Sequence, residues 1–589
     1  MDTPTQPEVL LHDPSRAVWL HFTDPIAIVE AHTPADVLPA LATVHESVTA
    51  RGCHAAGFVA YEAAPAFDPA LRVSGQPSAF PLLWFGLFRA PVVRERFAFT
   101  SPPNPLRMSW APSISRNAYS ARIAQLREYL YRGDTYQVNF TLRLRSSFDG
   151  DSRALFAQLV QAQGPHYSAY LRTGAFTLCS ASPELFFRLD HDTLESRPMK
   201  GTIRRGLTSE EDLELAGQLR LSEKNRAENV MIVDMIRNDM GRIAVPGSVS
   251  PVRLFDVERY PTVWQMTSTV TCRTLASFPE ILSALFPCAS ITGAPKPRTM
   301  EIISELEDSP RRIYTGAIGY IGPDRQAQFN VAIRTILLDE SRRAAEYGVG
   351  GGIVWDSSPQ EEYDECLLKA AVLLPAIPDF SLLETMLWTP AEGWFLLDRH
   401  LGRLAESAGY FGFSLSLSAI RERLSTWVAA QHAAGGRTAM RVRLLAARDG
   451  GITLEAAPLA PPDGSAVRVA LAPAPIRTDD PFLYHKTTRR SVYEEARAAC
   501  PDAEDALLWN DKGELTESTI ANLVVELDGQ RITPPVRCGL LPGTFRAELL
   551  AQGTVHEGIV RIEDLPRCTG IYLVSSVRQW RTAVLVTQA

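Results

Sequence analysis

What the sequence lacks narrows the field first. Its eight cysteines, at 53, 179, 272, 288, 366, 500, 538 and 568, are scattered with no Cys-x-x-Cys pair, so neither a disulfide framework nor a thiolate metal site is expected. No apolar run approaches the roughly 18 residues that cross a bilayer. Met1-Asp2-Thr3-Pro4 lacks the basic-then-apolar order of a secretion signal, so a cytoplasmic protein with no membrane partner is expected. Positive charge is in deficit as well. The formal net charge of −8 argues against the basic face that displaces counterions from nucleic acid, although local basic pockets could still take small anions. Internal repeats and low-complexity tracts are absent.

What is present is length, and 589 residues exceed the span of one hydrophobic core, so at least two domains are predicted. From Val18 to about Phe97 short apolar runs alternate with Gly and Pro, as in Phe80-Pro-Leu-Leu-Trp-Phe-Gly86, which suits strands. Helical periods follow at Ser115–Arg132 and Ser222–Arg242, and strands return at Ala317–Ile321 and Ala332–Leu338. Two prolines in Leu374-Pro-Ala-Ile-Pro378 stop the helix running from Glu361 and mark the best boundary, near 378. Beyond it the units are shorter: a strand at Phe380–Trp388, a helix near His400–Ser407, and a Pro-rich link at Ala457–Gly464 between two lobes. The expectation is an α+β multidomain protein with a strand-rich part at 1–110, a mixed region at 111–376 and a separate domain at 377–589.

In the first half, Ser182-Pro-Glu184 and Arg197-Pro-Met-Lys-Gly-Thr202 place a carboxyl and an amine on neighbouring segments. Alone, Lys200 reads as a solvated turn lysine. A Pro-x-Lys-Gly turn can instead desolvate the amine and lower its pKa toward nucleophilic use. Glu228 follows on a helix, and Glu362 and Glu365 lie three apart on another, with Lys369 a turn further. Oxygen ligands of this kind suit Mg²⁺, which often takes one or two carboxylates and keeps waters.

The order of motifs decides among these readings. Ser182-Pro-Glu184, Pro198-Met-Lys-Gly-Thr202, Arg226-Ala-Glu-Asn229, Ser290-Ile-Thr-Gly-Ala-Pro-Lys296, Ala332-Ile-Arg-Thr335, Gly350-Gly-Gly-Ile353 and Tyr363-x-Glu-x-x-x-Lys369 succeed one another as in chorismate-utilising enzymes. Over about residues 110–375 the chain resembles the family of anthranilate, isochorismate and aminodeoxychorismate synthases, whose fold is a β-sandwich with flanking helices. The resemblance implies that Lys200 attacks C2 of the chorismate ring while Glu184 protonates the departing C4 hydroxyl. Glu228 and Glu365 would ligate Mg²⁺ with Glu362 in support. Arg334 and Tyr320, with backbone amides of Gly351 and Gly352, would hold the enolpyruvyl carboxylate, and Lys369 and Thr292 would add contacts. A lysine at position 200 resembles aminodeoxychorismate synthases, where anthranilate synthases carry a small residue. Three departures stand out: Gln265 in place of a frequent His, Cys288-Ala289 in place of Gly-Gly, and Asn225 in place of an acid. No glutaminase motif is present, so ammonia is expected from a separate glutamine amidotransferase subunit.

In the second half, His400 and Arg403 sit at helical spacing, which alone reads as an exposed basic helix. Tyr484-His-Lys486-Thr-Thr-Arg489 offers an amine, Glu517 a carboxylate, and Gly539-Leu-Leu-Pro-Gly-Thr544-Phe-Arg546 a turn into a helix suited to phosphate. Pyridoxal 5'-phosphate needs these three parts. About residues 380–589 resemble the two-lobed fold-type IV aminotransferases, which include branched-chain and D-amino-acid aminotransferases and aminodeoxychorismate lyase. That likeness implies Lys486 as Schiff-base lysine, Glu517 at the pyridine nitrogen, Arg403 and Thr544 at the phosphate, and a homodimer. These motifs serve transamination and lysis alike. The fusion favours a lyase acting on the first half's product, giving 4-aminobenzoate for folate synthesis. The competing expectation is an anthranilate synthase component fused to a branched-chain or D-amino-acid aminotransferase.

Overall fold

The computed structural model describes residues 6–75, 78–97, 106, 108–373, 379–461 and 464–586. The boundary placed at Leu374–Pro378 lies outside the described residues. The chain divides into two compact units, one of Met1–Arg204 with Ala216–Ile377, the other of Arg205–Leu215 with Pro378–Ala589.

The first unit is built on two ten-stranded antiparallel sheets. Val9 and Leu11 of the strand Glu8–Asp13 enter one apolar cluster and Leu10 another, so both faces of this strand are buried at its apolar centre. The cluster holding Val9, Leu11 and Phe22 also takes Phe58, Trp84 and Ile318 from the second sheet, and is the layer between the sheets. The outer faces are covered by helices. Tyr119, Ile123 and Leu126 of Arg116–Tyr131 close the first sheet, and Ile232, Val233 and Ile236 of Glu223–Gly241 close the second. Ser115 and Ser222 cap these two helices, each hydroxyl accepting from a backbone N–H three residues on.

One expectation fails here. The stretch Val18–Phe97 is not all strand, because Pro34–Arg51 is an 18-residue helix. Pro34 and Asp36 open it, Gly52 closes it at φ +65°, and Val37, Leu41, Val44 and Val48 recur at helical spacing on the buried side. Pro39 and the interspersed Thr and His residues obscured that period in the sequence.

The second unit has two lobes. Gly393–Trp394, Leu382–Thr389, Met440–Ala446 and Ile452–Pro458 form a four-stranded antiparallel sheet, and an eight-stranded mixed sheet includes Asp505–Trp509, Leu515–Ser518, Asn522–Leu527 and Gly570–Ser575. Leu397–Phe411 packs Leu401, Leu404 and Ala408 into the core of the first lobe.

Arg205–Leu215 belongs to this unit although it lies far upstream in sequence. Arg205 forks onto Asp212 at 2.7 and 2.8 Å, donates to the Tyr410 carbonyl at 3.0 Å and covers the Tyr410 ring, whose hydroxyl donates to Gly206 O at 2.7 Å. Removing one member of a buried ion pair leaves the other uncompensated, a loss of about 3–5 kcal/mol. Arg205→Ala should therefore produce an early transition in urea unfolding. An unchanged profile would show that the segment contributes nothing to the unit.

Candidate functional site

In the first unit a cavity of about 370 Å³ is lined by Glu184, Lys200, Glu228, Arg334, Gly352, Glu362, Glu365 and Lys369 among others. Glu184 precedes the strand Leu185–Asp190 and is buried. It accepts from Ser290 Oγ at 2.7 Å, and burial pushes its pKa up to about 7 despite Ser290, Met199 N–H and Lys200. Lys200 lies on Met199–Arg204. Burial lowers its pKa against the pull of Glu228. The pair therefore holds an acid able to stay protonated and an amine that holds its proton less tightly than an exposed lysine, in the direction that proton donation and nucleophilic attack require.

Gly352 explains the glycine run. A Cβ there would stand 2.6 Å from Lys200 Nζ and 2.2 Å from Gln137 Nε2, so the amine occupies the space a side chain would fill. At Gly351 a Cβ would meet Glu362 Oε2 at 3.0 Å.

Gln265, in place of the frequent imidazole, accepts from the Thr202 hydroxyl at 2.9 Å and donates to Gly201 O at 2.8 Å. It ties down both residues that follow Lys200, at the register shift where Met199–Arg204 pairs with Val263–Arg273.

The acids at the far wall differ among themselves. Burial, reinforced by Glu365, raises Glu362, whereas Lys369 lowers Glu365 through a 2.8 Å ion pair. Lys369 also donates to Gly350 O at 2.9 Å. Among the described residues no three ligating side chains are gathered into a metal cluster. Mg²⁺ asks for less, since one or two carboxylates and several waters complete its shell, and the carboxylates lining this cavity fit that demand.

Arg334 is enclosed in protein at φ +51°, a strained conformation for a non-glycine residue. Burial lowers its pKa, with no carboxylate among the described residues paired to it; its bond is to Gln163 Oε1. A desolvated guanidinium facing a cavity is suited to an anionic group.

Three expected contacts, Gly351, Tyr320 and Thr292, are not among the residues that line this cavity. Tyr320 lines a separate cavity with Asp13, Arg16 and Arg188. On the strand Ala317–Gly322, Ile318 and Tyr320 share the face toward the inter-sheet layer, so strand parity turns Tyr320 away. Tyr314 and Tyr347 line the central cavity instead, and the signal for Tyr314 was its place beside Thr315-Gly316, just ahead of that strand. Thr292 is fully buried, its hydroxyl donating to the carbonyls of Cys288 and Ala289, and it does not line the cavity.

In the second unit Lys486, Glu517, Arg403 and Thr544 line one cavity of about 530 Å³. Burial lowers Lys486 to about 8, with Arg403 adding to the effect. Burial raises Glu517 to about 7; it accepts from Leu541 N–H at 3.0 Å, Tyr493 OH at 2.8 Å and Asn522 Nδ2 at 3.0 Å. A Cβ on Gly543 would lie 1.8 Å from Asn522 Oδ1, so the turn into Thr544–Ala551 requires glycine.

Sequence reading missed Glu384. It receives Arg403 in a fork at 2.9 and 2.7 Å and His400 Nδ1 at 2.6 Å, while His400 Nε2 reaches Thr544 Oγ1 at 3.3 Å. Despite burial, Arg403 and His400 hold Glu384 near a pKa of about 2, so it is a fixed anion that orients both the arginine and the threonine. A desolvated amine, a buried acid and a held arginine beside a helix start fit the pyridoxal phosphate that the resemblance to fold-type IV aminotransferases implies.

No helix among the described residues is long and apolar enough to cross a membrane. All eight cysteines are free.

Compared with known proteins, residues 381–586 match the family described as amino-transferase class IV, and residues 6–375 match chorismate binding enzyme. Aminodeoxychorismate synthase component 1 of Escherichia coli is 41% identical over 287 residues, 48% of this chain and 60% of that protein. The chloroplastic aminodeoxychorismate synthase of Arabidopsis thaliana is 41% identical over 280 residues, 46% of this chain and 30% of that one. The chain thus spans less than two thirds of the length of these relatives. The crystal structure of anthranilate synthase component I from Streptococcus pneumoniae, 24% identical with a TM-score of 0.53, covers 63% of this chain and 93% of its own and shares the fold. With the match at residues 6–375 taking in more than half of its length, this chain belongs to the chorismate binding enzyme family and carries an amino-transferase class IV domain behind it.

Proposed function

We propose that the protein makes 4-aminobenzoate in two steps: amination of chorismate to 4-amino-4-deoxychorismate in the first unit, then elimination of pyruvate in the second. The observation that carries the first step is Lys200, a desolvated amine in the space left by Gly352, in one cavity with the protonatable Glu184. Lys200 Nζ attacks C2 of the ring, the double bond shifts, and the C4 hydroxyl leaves as water with the Glu184 proton. Ammonia then attacks C4, the double bond returns, and Lys200 is expelled, so chorismate and ammonia give the aminated product and water. Arg334 holds a substrate carboxylate. Mg²⁺ would be held by Glu228 and Glu365 with Glu362 in support, and would neutralise the ring carboxylate.

In the second unit pyridoxal phosphate, when bound, supplies an electron sink for breaking the bond to the C4 proton. Glu517 holds a proton at the pyridine nitrogen, Arg403 and Thr544 hold the phosphate, and Lys486 takes the C4 proton. Enolpyruvate then leaves C3 and aromatisation drives its release. Ammonia is supplied by a separate glutamine amidotransferase subunit, and the class IV half forms a homodimer. Incubated with Mg²⁺, an ammonium salt and chorismate, the holoenzyme should release 4-aminobenzoate and pyruvate in equal amounts. Anthranilate as the product would overturn the proposal.

A further inference from the structure

The class IV cavity carries far more positive charge than its cofactor needs. Besides Arg403 and Lys486 it is lined by Arg441, Arg443, Arg490, Arg578 and Arg581, against the single carboxylate of Glu517. Arg403 is already held by Glu384 at the expected phosphate end. Arg490 donates to Thr519 O and stacks over Tyr493, and Arg578 donates to Ala460 O.

Arg441 and Arg443 differ from these. They stand two apart on Met440–Ala446, so both project from one face of the sheet. Arg443 is paired with Thr385 across the strands, and Thr385 and Leu383 line the cavity too, which makes this face the cavity wall. Arg441 has no ion-pair or hydrogen-bond partner among the described residues. Arg443 has only Glu455 at 3.0 Å, both half-exposed, and such pairs contribute little and exchange readily.

We propose that Arg441 and Arg443 form a carboxylate clamp that makes this site select a substrate with two carboxylates over an amino acid with one. The clamp rests on the reading of the second unit as acting on 4-amino-4-deoxychorismate, which bears a ring carboxylate and an enolpyruvyl carboxylate. One carboxylate falls to the clamp and the other to the remaining arginines. Elimination divides the two between 4-aminobenzoate and pyruvate, so each product loses one anchor and leaves more easily than the substrate. Planar guanidinium forks give the directional, bidentate grip that lysines would not.

The test is a titration of the holoenzyme, following the visible absorbance of its cofactor, with isophthalate and with benzoate. Isophthalate should bind at least tenfold tighter than benzoate. Arg441→Gln and Arg443→Gln should each remove most of that advantage while benzoate affinity and cofactor absorbance stay as in the wild type, and Arg443→Lys should restore only part of it. Equal affinities in the wild type, or an advantage that survives both glutamine substitutions, would overturn the clamp. Pyruvate release from supplied 4-amino-4-deoxychorismate is measured separately; its absence in the wild type would reject the lyase reading, while the titration still decides the clamp.

Discussion

Lys200→Ala should lower amination of chorismate by about a thousandfold or more, the scale on which removal of a nucleophile acts, while supplied 4-amino-4-deoxychorismate is still converted to 4-aminobenzoate at the wild-type rate. The asymmetry is the informative part, because the residue lines only the cavity of the first unit. Gly352→Ala tests the same geometry without touching the amine. A methyl group 2.6 Å from Nζ must displace Lys200 or Gln137, so amination should fall steeply while the protein stays folded. The pH profile supplies the sign. Glu184, raised to about 7, donates its proton only below that pH, so at a fixed concentration of free ammonia the rate should fall as pH rises through about 7. Glu184→Gln should abolish that limb. Loss of both half-reactions in Lys200→Ala would instead show that the units do not work independently.

What could be read from the sequence was what depends on short-range spacing. Glu184, Lys200, Glu228, Glu362 and Glu365 sit in contiguous motifs, and the structure brings them to one cavity. Lys486 and Glu517 are recognisable for the same reason. Misreadings arose where orientation or distance in sequence decides. Tyr320 and Tyr314 lie six apart, but Tyr320 sits on the strand Ala317–Gly322 and faces the inter-sheet layer, whereas Tyr314 precedes that strand and reaches the cavity. Glu384 is a lone acid in an apolar strand, and nothing local says that Arg403 and His400 will close on it. Gln265 looked like the loss of an imidazole; its part in holding Gly201 and Thr202 depends on a cross-strand register shift. The segment Arg205–Leu215 is least legible of all, since its partner Tyr410 lies 205 residues beyond Arg205.

Lys486→Ala should remove the visible absorbance of the lysine-bound cofactor and cut pyruvate release by about a thousandfold, while amination by the first unit continues and 4-amino-4-deoxychorismate accumulates. The magnitude follows from the two roles proposed for the residue, covalent anchor and proton carrier at C4. Its pKa, lowered by burial and Arg403 to about 8, leaves a usable share of free amine near neutral pH, which an ordinary exposed lysine would not have. The phosphate end should survive the substitution, because Arg403 is fixed by Glu384 and not by Lys486. Cofactor should therefore still bind, weakly and without the visible band, and a phosphate assay after gel filtration would detect it. Removing Glu384 instead should reverse the pattern: Glu384→Gln frees Arg403 and His400, so cofactor retention should fall while the absorbance of whatever remains bound is unchanged. Persistence of the visible band in Lys486→Ala would reassign the anchoring amine to another residue, and the proton transfer at C4 would go with it.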